Sequence, residues 1–346
     1  MGTPRVGWIV ILLCAAGCSH AEPFSTQAPD ALGPADPSLP RQLTYNLGDD
    51  RFPNVTGGSV AFSRYDPART ALSQCVALLP VEGGTLSATF CPPQPSVADT
   101  FVSSWLEPSL SPDGTQLAFV WRRSARVSAL AAWSYDFVVA STDSPSVPLA
   151  SQSIPRLLPG DRLVNTGLEL TWLTPDRVRF LAAYDSVFKV KGGGAGRFTD
   201  TITVPRALMD FDLAAGTIVP VPGGDSLVAY TVADDGTVYV VPDDSARAML
   251  RLGPDGSRTP VGVWPLPVTD IAVSGAVFVA ATALDSLYWM DPASGQAGRI
   301  TLRGTARRLA PAEAGYVVVE LERRGGDAFG APANLWLLGL AVGSVR

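Results

Sequence analysis

A turn-and-strand unit recurs six times along this chain, and repetition of that kind narrows the fold more than any figure of composition. Its fullest form runs from Glu107 to Trp121: a short strand, the turn Ser111-Pro112-Asp113-Gly114, then a second strand of alternating apolar residues. Proline at the second turn position presets φ, and the Asp-Gly pair supplies a side-chain acceptor and a residue free to take positive φ. Degenerate copies follow at 170–180, 229–240, 271–279 and 308–318, and one precedes at 54–62. Each copy leads into an aliphatic-aromatic stretch that ends in a turn, at 75–79, 135–140, 208–213, 249–252, 287–290 and 334–338. Most units close with one more strand-like run, as at 85–90, 217–221, 259–264 and 297–302. Four antiparallel strands repeated six times, without helical periodicity, predict an all-β fold: a six-bladed β-propeller of four-stranded antiparallel blades.

The sixth unit has no obvious fourth strand. Residues 41–46, however, are similar to the outer strand at 297–302 and run straight into the first unit. An N-terminal strand that joins the last blade closes the ring and removes an open sheet edge. The propeller is therefore expected to occupy residues 41–346.

The stretch Ser111-Pro-Asp-Gly-Thr-Gln-Leu-Ala-Phe119, with the outer strand Arg41-Gln-Leu-Thr44, resembles the TolB-like family of six-bladed propellers with WD40-like repeats. The likeness covers residues 41–342, and the second unit alone carries the full motif. TolB also has an N-terminal α/β domain, for which the 22 residues between Cys18 and Arg41 leave no room. Its binding to the peptidoglycan-associated lipoprotein is not carried over, since the motif consists of turn and packing residues.

Residues 1–17 have the pattern of a secretory signal, with Arg5, an apolar run from Val6 to Ala16, and small residues at the exit. The run is too short to span a bilayer, and no later stretch reaches ~18 apolar residues. Ala15-Ala16-Gly17-Cys18 resembles a bacterial lipobox, which makes Cys18 the acylated residue; ordinary cleavage, giving a soluble secreted protein, is the alternative. Residues 18–40, with prolines at 23, 29, 34, 37 and 40, are expected to be a semi-extended tether. The implied location is the cell envelope, lipid-anchored and facing the periplasm, at the outer membrane in preference to the inner. Cys75 and Cys91 remain as a pair. A hairpin centred on Gly83 sets Val81 opposite Thr85, Leu79 opposite Ser87 and Cys75 opposite Cys91, within disulfide reach. Export to an oxidising compartment permits that bond, and two buried thiols are the alternative.

The chemistry is constrained by what the chain lacks. It has one histidine, His20, which lies in the tether, so a histidine base, a histidine-rich metal site and a Ser-His-Asp triad are all poorly served. Gly224-Asp225-Ser226-Leu227 spells a GDSL esterase signature, but it sits mid-repeat with no histidine after it and reads as the turn opening unit four. The run Gly192–Gly196 lacks the Lys-Ser/Thr of a phosphate loop. With 26 Lys+Arg against 32 Asp+Glu, no nucleic-acid partner is indicated. Twenty-five Asp and seven Glu supply material for an oxygen-ligand metal site in the central channel. Gluconolactonase-like propellers hold a channel metal with Glu, Asn and Asp, but with four Asn no spacing here identifies such a set. No cofactor is indicated, and whether a metal binds stays open at this stage.

Topology adds a polarity. Loops joining strands one to two and three to four share one face, which would carry Glu82, Asp113, Asp143, Asp176, Asp212, Asp234, Asp235, Asp255, Asp291 and Glu313 against Arg177 and Arg258. The opposite face receives longer loops with Arg122, Arg123 and Arg126 in unit two, Lys189, Lys191 and Arg197 in unit three, and Arg323 and Arg324 in unit six. The basic residues of units two and three are the candidate partner-binding loops, for an envelope protein, an anionic glycan or a lipid headgroup. The expected function is an envelope lipoprotein whose monomeric propeller serves as a protein-interaction or ligand-binding module. The alternatives are a metal-dependent channel enzyme of lactonase or lyase type, and a structural subunit of an envelope assembly.

Overall fold

The computed structural model describes residues 40–45, 48–65, 73–93, 102–127, 130–153, 169–182, 187–191, 198–202, 206–312, 315–323 and 333–340. The expected signal sequence, Cys18 and all but the last residue of the expected tether lie outside them.

Six four-stranded antiparallel sheets follow one another in chain order. Blade one is Asp50–Thr56, Ser59–Tyr65, Gln74–Pro80 and Ala88–Phe90; blade two is Val102–Leu110, Gln116–Val127, Leu130–Ser141 and Pro148–Ser153. Blade three is Thr171–Thr174, Arg177–Ala182, Ala207–Asp212 and Thr217–Pro220. Blade four is Leu227–Val232, Val238–Pro242, Ala248–Leu252 and Arg258–Val263, and blade five is Val268–Ser274, Val277–Thr282, Ser286–Asp291 and Gln296–Thr301. Blade six takes Gly304–Pro311, Tyr316–Arg323 and Ala333–Gly339 from the end of the chain and Arg41–Gln42 from its start. The expected closure is therefore present: Arg41 pairs with Leu337 and Gln42 with Trp336. The Leu43 amide continues the ladder to the Leu335 carbonyl at 2.8 Å, and the Thr44 hydroxyl accepts from the Leu335 amide at 3.0 Å.

Alternation explains why the second strand of each blade is apolar on both faces. Val60 and Phe62 pack toward blade six, while Ala61 between them packs toward blade two. Each of the six blade interfaces carries its own apolar cluster. Phe137 and Phe180, with ring centroids 5.5 Å apart, join blades two and three, and Ile271, Val273 and Phe278 of blade five pack on Ala229, Val241 and Met249 of blade four. The hydrophobic core is thus a ring of seams instead of one central mass.

The Ser-Pro-Asp-Gly turn is held by its own side chains. Asp113 accepts from the Ser111 hydroxyl at 2.6 Å and from the Thr115 amide at 3.1 Å, while Gly114 takes φ 71°. Asp235 and Asp255 repeat the device on the amides of Thr237 and Ser257. These hydrogen bonds favour the ionised form and hold all three carboxyls below the usual aspartate range. The disulfide Cys75–Cys91 is formed in the register read from the sequence, with Val76 opposite Phe90 and Leu78 opposite Ala88. Ser226, in the GDSL stretch, immediately precedes the first strand of blade four.

Two features exceed the repeat. The middle hairpin of blade two is 12 residues long in each strand, and a two-stranded ribbon, Val187–Lys191 with Phe198–Ile202, is inserted in blade three. Arg122, Arg123 and Arg126 therefore lie in a strand, not a loop, and Lys189 and Lys191 lie in the ribbon. A long sequence between two blade strands reads as a loop, but it can equally continue the pairing beyond the blade. Arg197, Glu313 and Arg324 lie outside the described residues.

Candidate ligand cavity

A cavity of about 1650 Å³ occupies the central channel. Its walls are the innermost strands of all six blades. It reaches the turns at Gly57-Gly58, Pro112, 233–237 and 253–257, so it opens on the acid-rich face.

Its floor is built by the innermost strands where they bulge. Phe52, Glu107 and Glu169 stand at equivalent points in blades one, two and three, each with φ between 51° and 56°, a conformation uncommon for residues other than glycine. The reason lies in their amides, which turn out of the ladder toward the preceding blade. Phe52 donates to Glu320 Oε2 at 2.9 Å, Glu107 to the Ser63 hydroxyl at 3.0 Å, and Glu169 to Glu107 Oε2 at 2.9 Å. Blade five serves blade six similarly: Asp270 Oδ2 accepts from the Leu309 amide at 2.7 Å. Carboxylates and a serine thus tie neighbouring blades through main-chain groups that a bulge leaves unpaired.

Across the channel, Arg308 of blade six makes an ion pair with Glu169 of blade three. These blades stand opposite each other in a six-fold ring, so the pair spans the floor. Burial pulls the Arg308 guanidinium down, but Glu169, Asp270, Glu107 and Glu320 outweigh it and hold the group firmly charged. Asp270 is 2% exposed, and burial, then Glu169, push its carboxyl well above the aspartate range against the pull of Arg308. Glu320 is likewise raised by burial, against the attraction of Arg51 at 3.3 Å. Arg179 grips Asp210 through two nitrogens at 2.7 and 2.8 Å. Tyr230, its phenol raised by burial, donates to the Glu169 carbonyl.

The channel charges are therefore committed to Arg308, Arg179 and backbone amides. Among the described residues, no group of three or more His, Cys, Asp or Glu side chains stands close enough to hold a metal ion.

Two of the candidate partner-binding residues are engaged inside blade two. Arg123 pairs with Asp136 and lies 4.8 Å from the Trp121 ring centroid, and Arg122 Nη2 reaches the Ser104 hydroxyl at 3.4 Å. The floor residues Glu107, Glu169, Asp270 and Arg308 were not singled out from the sequence. Their signal is faint: one charged residue where the innermost strand begins or bulges, in blades two, three, five and six.

Together the ring of blades and the closed-bottom channel define a six-bladed β-propeller with a one-sided central cavity. No protein-family model matches the chain, and no curated protein does. Among solved structures, luciferin-regenerating enzyme is similar over 88% of this chain and 96% of its own, with a TM-score of 0.52 at 10% identity. Aldose sugar dehydrogenase from Streptomyces coelicolor, in its PQQ-bound form, aligns over 88% and 99%, with a TM-score of 0.47 at 13% identity. BamB from Moraxella catarrhalis aligns over 82% and 68%, with a TM-score of 0.34 at 11% identity. At these identities the likeness is one of fold.

Proposed function

We propose that this chain is a binding module of the bacterial envelope, a TolB-like propeller held at a membrane by a lipid on Cys18. It receives its ligand or partner segment in the central cavity. The observation that carries this reading is the cavity itself. It is open at one face, closed at the floor by a cross-channel ion pair, and larger than the ~300–1,000 Å³ of common small-molecule pockets. Rigid blades around it make the site preformed, which lowers the ordering cost of binding.

The test is site-specific photocrosslinking in intact cells, with the crosslinking residue at Leu173 on the cavity wall or at Arg123 on the opposite side. A discrete adduct from Leu173 supports the reading. Adducts from Arg123 alone, or from neither position, overturn it. Fractionation of a Cys18→Ser variant tests the anchor: the variant should leave the membrane fraction, and unchanged membrane retention refutes lipidation at Cys18.

A further inference from the structure

The cavity has a side arm, and the chemistry of that arm defines a ligand class, provided the cavity is the binding site proposed above. In blades one, two, five and six the cavity touches the innermost strands and the turns that follow them. Between blades three and four it also runs outward. There it passes Arg179 and Asp210, on the second and third strands of blade three, and Val238 and Leu252, on those of blade four.

Strand register sets the two walls of the arm. Thr171 pairs with Arg179, Arg179 with Asp210 and Asp210 with Val219, so the four form one row across blade three. Side chains directly opposed in a sheet share a face, and so do those two positions along each strand. Leu181 and Leu208, two positions along from Arg179 and Asp210, pack on Leu227, Tyr230, Val238 and Leu252 of blade four. The row of Arg179 and Asp210 therefore faces blade four as well, where Val232, Val238 and Leu252 line the cavity. One wall of the arm is polar and the other aliphatic.

The guanidinium in that row is fixed but only partly used. Arg179 donates from Nε and Nη2 to the two oxygens of Asp210, at 2.7 and 2.8 Å. Of the five N–H groups of a guanidinium this takes two, so both on Nη1 and one on Nη2 have no partner among the described residues. Nη1 is open to the cavity, and the side chain as a whole is 12% exposed. The unused N–H groups on Nη1 and Nη2 form a second fork at the end of the side chain, matched to the two oxygens of an acid group. Asp210 orients this fork and makes the pair neutral overall. With Asp234, Asp235 and Asp255 lining the same cavity, it opposes a ligand of more than one negative charge.

We infer that the arm between blades three and four binds a monocarboxylate with an aliphatic body. The carboxylate sits end-on to Arg179, and the body lies against Val232, Val238 and Leu252. Because Asp210 holds the guanidinium in place before the ligand arrives, little ordering is needed on binding.

The experiment is a ligand-detected NMR titration of the purified protein with hexanoate, with hexanamide and inorganic phosphate as comparison probes. Arg179→Gln/Asp210→Asn removes the fork and its partner together, so net charge is unchanged and no carboxylate is stranded. Val232→Asp sets a like charge on the opposite wall without touching Arg179, and Arg299→Gln, outside the cavity, is the control. Hexanoate should bind saturably and the other two probes should not. The double variant and Val232→Asp should each weaken binding about tenfold or more, as loss of a charge-assisted hydrogen bond does, and the control should leave it unchanged. No saturable binding of hexanoate, equal binding of hexanamide, displacement of hexanoate by phosphate, or binding that neither variant weakens overturns the inference. Such a result alongside a Leu173 adduct in cells leaves the cavity as a site for another chemistry, whereas loss of both removes the proposed function as well.

Discussion

Replacing Arg308 with leucine removes the cation on which the channel floor depends. The guanidinium side chain is 14% exposed and its partner Glu169 12%, while Asp270 beside them is 2% exposed. Leucine fills much of the same space but leaves two buried carboxylates facing each other without a counter-charge. Breaking a buried pair from one side costs about 3–5 kcal/mol, because the remaining charge stays desolvated. Asp270, already raised by burial and then by Glu169, loses the opposing pull of Arg308 in the variant and takes up a proton more readily, so the deficit should be largest near neutral pH and shrink as pH falls. Arg308→Leu/Glu169→Leu should recover part of the loss, since it removes one of the stranded charges together with its partner. Urea denaturation of the three proteins at two pH values reads all of this as free-energy differences. A loss below about 1 kcal/mol, or a deficit that does not change with pH, would refute the view that Arg308 neutralises the floor.

Other perturbations follow from the same contacts. Converting Cys75 and Cys91 together to serine frees a loop closed at a sequence separation of 16 and should cost about 3 kcal/mol, read as a lowered thermal midpoint that reductant no longer affects. In the unaltered protein, Asp270 and Glu320 have raised folded pKa values, so the stability they contribute is complete below their ordinary values of 3.8 and 4.5 and lost as pH rises through the folded ones. Asp113, Asp235, Asp255 and Asp291 are lowered, so theirs is present above 3.8 and lost as pH falls through the folded values. Stability measured against pH should therefore peak on the acid side of neutrality, and a steady decline from neutral pH downward would contradict the raised carboxyls. Gly223→Ala should destabilise by more than about 1 kcal/mol in the same assay, since Gly223 has φ 65° and a Cβ there would lie 2.3 Å from the Gly256 carbonyl oxygen.

Much of the architecture was written in local chemistry. The Ser111–Gly114 turn specifies itself through Asp113, the alternation at Val60–Phe62 specifies two buried faces, and the spacing around Gly83 fixes both the hairpin register and the disulfide. Even ring closure was legible, because a blade missing its outer strand and an orphan strand at 41 are complementary facts about one chain. Such features depend on residues a few positions apart, and a repeat states them six times over.

The site depended on residues far apart. Glu169 and Arg308 are 139 positions distant, and Glu320 caps an amide 268 positions away. Nothing in the local surroundings of either marks it as a partner, since a charged residue before an apolar strand looks like any solvated strand end. The basic strand of blade two shows the converse: Arg122 and Arg123 read as a cationic loop, whereas continued strand pairing folds them back on Ser104 and Asp136 of their own blade. The sequence by itself determined the blades, their number, their turns and their staple, because those follow from periodicity and turn chemistry. Only the closed ring decided where the cavity opens and which charges meet across its floor, because six innermost strands converge on one axis regardless of their separation along the chain.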